Sequence, residues 1–287
     1  MKGVAVTGAN GFVGSILARH FEDTGWTVTR LVRTPNPADG SMVPFRLGEE
    51  LAPDVFRSRQ IDALVHCAYD FRPVKRIDVH RINVNGSVGL LAAARTGGVE
   101  RIVVMSSISA FTGCRSIYGQ TKLAIETAAA AVGALVVRSG LVYGDGPATG
   151  GGMFGSLATS VQRGLVPLID GGIHPQYLIH EEDLWRLVKR FCDGELDNPG
   201  KPVVAASPRA WPLRDLLTVL ARRQNRHPRF LPVPWQPVWA SLRLAELAHI
   251  PVQYRSDSVI SLVHQDPNPD FASLAAVGVT AREFSPR

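Results

Sequence analysis

The chain has 287 residues, 45% of them hydrophobic, which excludes an extensively disordered protein and leaves room for a large core with or without an appended lobe. Its formal net charge is +6, and residues 201–287 hold most of the excess, with 11 Lys/Arg against 6 Asp/Glu. Cys67, Cys114 and Cys192 lie far apart in no metal-ligand pattern, and the longest apolar run, Ala128 to Val137, is about half a membrane span. Free thiols, no bound metal and no transmembrane segment are therefore expected.

The first element begins directly after Met1-Lys2, so no signal peptide is expected and the reading is a cytoplasmic protein. Val4 to Thr7 is a short run rich in β-branched residues that suits a buried parallel strand. Gly8, Gly11 and Gly14 follow three apart and lead into the helical pattern Ile16, Leu17, Phe21. In such a turn Gly8 permits the sharp bend, Gly11 lets the backbone approach a diphosphate, and Gly14 lets the helix lie close on the strand. The free N–H groups of Phe12 and Val13 would face the phosphates. The alternative is an ordinary glycine-rich turn; strand before and helix after favour the dinucleotide site.

Trp26 to Val32 reads as the second strand, and its end informs the cofactor. A carboxylate there would bind the ribose hydroxyl of NAD, but the chain has Val32-Arg33, and an arginine pairs with the 2′-phosphate of NADP. NADP is expected over NAD, against the alternative of a solvent-facing Arg33. Strands then follow at Val43 to Leu47, Ile61 to Cys67, Arg101 to Ser107 and Leu135 to Arg138, with helices Val79 to Arg95 and Tyr118 to Val132 between them. This alternation predicts an α/β fold, a doubly wound parallel sheet of Rossmann type with a smaller C-terminal substrate lobe. Ligand sites in such sheets lie beyond the carboxyl ends of the strands, where Gly8, Arg33, Ala68 and Ser107 all fall.

Ser106-Ser107 ends the fifth strand, and Tyr118-Gly-Gln-Thr-Lys122 opens the next helix. Tyr118 and Lys122 share one helix face, and a neighbouring ammonium is expected to lower the phenol from about 10 toward neutrality. Tyr118 then moves a proton, Ser107 holds the reacting oxygen, and a nicotinamide exchanges hydride.

The second half is less regular. Gly150-Gly-Gly152 and Gly171-Gly172 punctuate Met153 to Leu168, read as a helix and a short strand, and Pro167 to Tyr177 is expected to cross the cleft. His180-Glu-Glu-Asp183 opens an amphipathic helix, where the acids fit first-turn capping better than a metal site, and His174 and His180 are expected to be structural or substrate-contacting. Val203 to Ala205 is strand-like, Leu213 to Arg222 helical, and Pro228 to Pro237 a proline-rich connection. Arg222, Arg223, Arg226 and Arg229 are not interleaved with aromatics, so no nucleic-acid partner is expected; they suit a solvated helix end at least as well as a phosphate-bearing substrate. Along the helix Trp235 to Ile250, the stripe Trp239, Leu242, Leu244, Leu247 is expected to be core, with a membrane or partner face as the alternative. The division is residues 1–150 for the cofactor and 151–287 for the substrate lobe, with some chain crossing back to the sheet.

These residues resemble the extended short-chain dehydrogenases/reductases of the nucleotide-sugar epimerase/dehydratase type. The resemblance covers nearly the whole chain and rests on Thr7-Gly-Ala-Asn-Gly-Phe-Val-Gly14, Leu64-Val-His-Cys-Ala68, Asn83-Val-Asn-Gly86, Val104-Met-Ser-Ser107, Tyr118 to Lys122, Arg138-Ser-Gly-Leu-Val-Tyr-Gly144 and Tyr177-Leu-Ile-His-Glu-Glu-Asp183. The tail Asp270 to Gly278 resembles the family's closing helix and glycine turn. The resemblance implies a catalytic triad of Ser107, Tyr118 and Lys122, with Lys122 also on the nicotinamide ribose, Ala68 lining the cofactor and Asn83 in support. It also implies a nucleotide-sugar substrate and a homodimer packed through the helices Val79 to Arg95 and Tyr118 to Val132. Dehydratases of the family carry Asp-Glu after the catalytic Ser or Thr; here Ile108-Ser109 stands there, which disfavours dehydration. Only eleven positions separate Ser107 from Tyr118, fewer than in many sugar epimerases. Together with Arg33 this favours net reduction. An epimerase is the first alternative, and a non-catalytic NAD(P)-binding structural or regulatory subunit is the alternative from another class.

Overall fold

The computed structural model describes residues 2–145, 151–250, 252 and 254–285. In chain order the first half runs β1 (Gly3–Thr7), α1 (Phe12–Asp23), β2 (Thr27–Val32), β3 (Met42–Pro44), α2 (Asp54–Ser58), β4 (Ala63–His66), α3 (Arg76–Val79), a π-helical segment (His80–Asn85), α4 (Gly86–Thr96), β5 (Arg101–Ser107), α5 (Ile117–Ala131) and β6 (Leu135–Ser139). The second half adds β7 (Leu141–Tyr143), α6 (Gly152–Ser160), β8 (Leu165–Ile169), β9 (Pro175–Gln176), β10 (Leu178–His180), α7 (Glu181–Asp193), β11 (Val203–Ala205), β12 (Trp211–Pro212), α8 (Leu213–Arg223), β13 (Arg229–Val233), α9 (Trp235–Leu247), α10 (Ser256–Val263) and α11 (Ala272–Ala276).

Seven strands form one parallel sheet in the order β11-β6-β5-β4-β1-β2-β3. The order reverses across β1, which places the topological switch point at the glycine turn. Alternate strand residues face opposite sides, as the pleat requires. Val4, Val6, Val103 and Met105 pack with Leu17, Phe21, Leu187 and Phe191 of α1 and α7. Ala5, Ile102 and Val104 pack with Leu90, Leu91, Ile125 and Ala129 of α4 and α5. Because both faces are covered, the strands read as continuous apolar runs, and each fully buried Leu or Phe stabilises the fold by about 1.5–3 kcal/mol.

The doubly wound parallel sheet expected from the alternation is present, with small differences at element ends. Trp26 precedes β2 instead of joining it, and its ring packs edge-on against Phe21 at 5.1 Å. Phe45 and Leu47 are buried beyond the end of β3. The helix expected from Val79 begins at Arg76 and passes through the π-helical segment at His80–Asn85. Ser116 caps α5, its Oγ accepting from Gly119 N at 3.0 Å.

A separate apolar cluster holds the second half together, including Tyr143, Phe154, Leu168, Trp211, Leu217 and Phe284. Around it lie three short ribbons, β7 with β10, β9 with β12 and β8 with β13. The proline-rich stretch read as a connection contains β13, parallel to β8. Pro232 is tolerated because a two-stranded ribbon leaves one edge of the strand without a partner to receive its N–H. Along α9 the stripe expected to be core is instead divided. Leu242 lines the cleft, whereas Trp239, Leu244 and Leu247 are 37%, 67% and 59% exposed. Among the described residues no helix is long and apolar enough to cross a membrane. Of the glycines read as punctuation, Gly150 lies outside the described residues.

Candidate active site

The carboxyl ends of β1, β2, β4 and β5 open on one cleft of about 1230 Å³, whose wall includes Gly8, Gly11, Phe12, Val13, Gly14, Arg33, Ala68, Ser107 and Tyr118. All of the expected cofactor-contacting residues except Lys122 line it, while Lys122 and Asn83 lie buried behind the wall.

The glycine turn is shaped by backbone contact. Gly8 has φ +66°, which L side chains rarely adopt, and a Cβ on Gly14 would sit 2.2 Å from the Gly8 carbonyl oxygen. Gly11 N donates to Gly8 O at 2.8 Å and starts α1, whose first turn carries no acidic residue. The N–H groups of the first helical turn and the positive end of the helix dipole therefore remain for an anion, and this cradle fits a dinucleotide diphosphate. Arg33 is exposed beyond β2, and its charge helps hold the Asp70 carboxyl below the usual range, behind the larger effect of hydrogen bonds from Arg72. Arg46 lines the same region, a second cation that the pattern of strand two did not mark.

Buried polar contacts fix the neighbouring strand end. Thr7 Oγ1 accepts from the N–H groups of Cys67 and Ala68, each at 3.1 Å, and meets His66 Nδ1 at 2.8 Å. The other His66 nitrogen lies 2.8 Å from Ser87 Oγ, and burial drives the imidazole down to about 3, so it is neutral. Asn83, in the π-helical segment, clamps the following loop: its Oδ1 accepts from Asp70 N at 2.7 Å and its Nδ2 donates to Asp70 O at 3.0 Å. Asn83 thus holds the loop that carries Tyr69 and Phe71.

Those two rings cover Tyr118, Tyr69 edge-on at 5.0 Å and Phe71 stacked at 5.7 Å. The Tyr118 phenol is pushed up to about 12 by burial, partly offset by a hydrogen bond with Ser107. The expected lowering by Lys122 is not what governs this phenol. Lys122 Nζ donates to Met105 O at 2.8 Å and lies 5.9 Å from the Tyr118 ring centroid. Burial brings the ammonium down to about 8, with Cys67 and Glu126 acting in the opposite sense. Glu126 is itself held by Arg138 at 2.7 Å and by the Ser106 hydroxyl, so a buried charged group braces β5 against α5.

The second half supplies residues that local pattern did not reveal. Asp257, at the start of α10, accepts from Ile117 N at 2.7 Å and Tyr118 N at 2.9 Å, gripping the first turn of α5 from 139 positions beyond Tyr118 in sequence. Arg255 donates to Phe71 O at 2.9 Å and to Glu246 at 2.8 Å, tying the aromatic loop to α9. The acids after His180 splay toward different partners: Glu181 lies 3.6 Å from Arg19, and Asp183 pairs with Arg186 and Arg282. His180 caps α7 and meets Asp145, and His174 meets Asp170, each at 3.0 Å.

With this geometry in hand, the family model that matches residues 4–195 is the NAD dependent epimerase/dehydratase family. The chain belongs to that family. It is 30% identical over 197 residues to a ceramide reductase of Caulobacter vibrioides, covering 66% of this chain and 60% of that relative. A UDP-glucose 4-epimerase of Azospirillum brasilense is 28% identical over 147 residues, covering 43% of this chain and 42% of the relative. The chain thus spans less than two thirds of either relative's length. Among solved structures, MoeE5 in complex with UDP-glucuronic acid and NAD has the same fold, with a TM-score of 0.67 at 21% identity, covering 96% of this chain and 97% of that one.

Proposed function

We propose that this family member is an NAD(P)-dependent reductase that converts a carbonyl to an alcohol with Ser107, Tyr118 and Lys122. The observation that carries the reading is the placement of Ser107, at the end of β5, and Tyr118, at the start of α5, side by side on the wall of the cleft that the glycine turn opens on. Burial raises the phenol, which suits it to donate a proton to a carbonyl oxygen. Bound NAD(P)H supplies the hydride. Ser107 Oγ holds the substrate oxygen, Tyr118 Oη delivers the proton to it, and Lys122 stabilises the tyrosinate left behind. Gly8, Gly11, Phe12, Val13 and Gly14 would hold the diphosphate and Ala68 would line the cofactor, with Asn83 bracing the loop behind it. Arg33, with Arg46 close by, favours NADP over NAD.

Residues 1–150 carry the cofactor in this reading and residues 151–287 the substrate. The resemblance makes a nucleotide sugar the first substrate to try. A homodimer through α4 and α5 follows from the same resemblance, and a cytoplasmic location from the unpaired cysteines; the exposed Val88 on α4 and Ile77 on α3 support the dimer, and a doubled mass in light scattering tests it. A second reading, epimerisation, is favoured by the relative that is a UDP-glucose 4-epimerase. NADPH consumption by a panel of keto compounds tests the reductase: steady oxidation abolished in Tyr118→Phe supports it, and turnover without net cofactor change establishes the epimerase instead. Unchanged cellular function in Tyr118→Phe, together with its loss when Gly11 is disrupted, would favour the non-catalytic binding subunit.

A further inference from the structure

The cleft has two chemically different halves. Around the glycine turn its wall carries Arg33 and Arg46 beside the backbone of Gly8, Gly11 and Gly14, together with apolar Phe12, Val32 and Phe45. Opposite, where α6, β8, α8, α9 and α10 converge, it is lined by Leu157, Leu168, Leu217, Leu242, Val259 and Leu262. The charged side chains of this second half do not suit a diphosphate. Asp257 and Asp266 are acidic, and Arg255 is already engaged by the Glu246 carboxylate and by two loop carbonyls, Phe71 O and Pro73 O. Arg163 is exposed at the end of α6. Moving a doubly charged diphosphate out of water into this half would leave its oxygens short of cations and close to carboxylates, which is strongly unfavourable.

We propose that this half of the cleft takes an uncharged, hydrophobic carbonyl compound, an aldehyde or ketone borne on an alkyl or ring-bearing chain, in place of a nucleotide sugar. The assignment rests on the hydride-transfer reading of Ser107, Tyr118 and Lys122. In the reaction the carbonyl carbon gains a hydride from NADPH and the carbonyl oxygen gains the Tyr118 proton. The products are an alcohol and NADP⁺, and solvent returns the proton to Tyr118. The apolar wall binds the chain by removing it from water, so affinity rises by about fourfold for each added methylene until the cleft is filled.

Binding without turnover tests the pocket. Nile red is bound to the full chain and displaced by a series of unreactive 1-alkanols from four to twelve carbons, and separately by UDP and UDP-glucose. The expected result is a midpoint that falls about fourfold per methylene, with no displacement by millimolar UDP or UDP-glucose. The slope should flatten in Leu242→Gln and Leu262→Gln, both partly exposed positions where a polar residue is tolerated in the fold. Retained NADPH binding in these variants checks that they are folded. A flat alkanol series, or displacement by UDP-glucose that disappears in Arg163→Ala, overturns the proposal.

NADPH oxidation with alkanals and 2-alkanones of the same lengths separates the two readings. A graded alkanol series with no carbonyl compound reduced keeps the apolar pocket and removes hydride transfer. Reduction of a UDP-4-keto sugar that depends on Tyr118, with a flat alkanol series, keeps hydride transfer and removes the apolar pocket.

Discussion

The two walls of the cleft are built by different means. On the sheet side β1, β2, β4 and β5 deliver Gly8, Arg33, Ala68 and Ser107 to one edge by strand geometry, and buried contacts of Thr7 and His66 fix the end of β4. On the lobe side the wall is assembled from pieces far apart in sequence. Arg229 pairs with Leu165, Trp211 with Gln176 and Leu178 with Leu141, and α10 reaches back to grip α5. In the proposed reading the sheet wall holds the cofactor and the hydride-transfer residues, and the lobe wall selects the molecule that is reduced.

The sharpest way to break this contrast is with two glycines. At Gly14 an added Cβ would lie 2.2 Å from Gly8 O and 2.7 Å from its carbonyl carbon, both backbone atoms that cannot yield without moving the turn. Gly14→Ala is expected to cost about 3 kcal/mol of stability and to abolish dinucleotide binding. Gly164, between α6 and β8, has nothing within 4 Å of such a Cβ. Gly164→Ala is expected to change stability by less than about 0.5 kcal/mol. Thermal melting and a dinucleotide titration of both variants check the pair. Equal effects would mean that the glycine turn is no more constrained than an open surface glycine.

Next in size is Arg33→Ala. A guanidinium on the 2′-phosphate makes a charge-assisted hydrogen bond, and losing it costs about 1.5–3 kcal/mol, or roughly 10- to 100-fold in affinity. The loss should appear for NADP and leave NAD nearly untouched. Equal loss for both dinucleotides would take Arg33 out of cofactor selection and pass the task to Arg46.

The same contrast explains what the sequence made legible. Val4 to Gly14 announces a strand, turn and helix within eleven residues because φ at Gly8 and the contact at Gly14 are local demands. That Ser107 and Tyr118 would face one cleft was legible for a related reason, since a strand end and a helix start place them. The height of the Tyr118 pKa was not, because burial under Tyr69 and Phe71 depends on a loop clamped by Asn83. Nor was β13, hidden by its prolines, since its partner strand begins 64 positions earlier. The stripe on α9 pointed to core, yet in the fold only part of it is covered. Periodicity specifies a face, but it does not specify what lies opposite.

A pH measurement sharpens the claim that the sheet wall is held rigid. His66 is buried between Thr7 and Ser87, and burial lowers it from 6.5 to about 3. The native state therefore refuses a proton that the unfolded chain accepts. Stability from this group is complete above pH 6.5 and is lost as the pH falls toward 3, with a slope of about 1.4 kcal/mol per pH unit for one proton. His66→Gln should be less stable at neutral pH and should show a correspondingly shallower acid limb in denaturant titrations. An unchanged limb would mean that His66 is protonated in the native state or is released before global unfolding.

The smallest expected effect crosses between the walls. Asp257 belongs to the lobe by sequence, yet its carboxylate accepts from Ile117 N and Tyr118 N at the start of α5. Asp257→Asn keeps one acceptor oxygen but removes the charge from a helix N-terminus, at a cost of about 0.3–1 kcal/mol. Stability should fall by that amount. If the contact sets the direction of Tyr118, kcat should fall several-fold more than stability alone explains while NADP affinity stays fixed, because the diphosphate cradle lies on α1, away from this contact. Asp257→Glu, which restores the charge on a longer side chain, should recover the stability and only part of kcat. A joint fall in kcat and NADP affinity would instead mean that the lobe supports the sheet wall as a whole, and the division of labour between the walls would no longer hold.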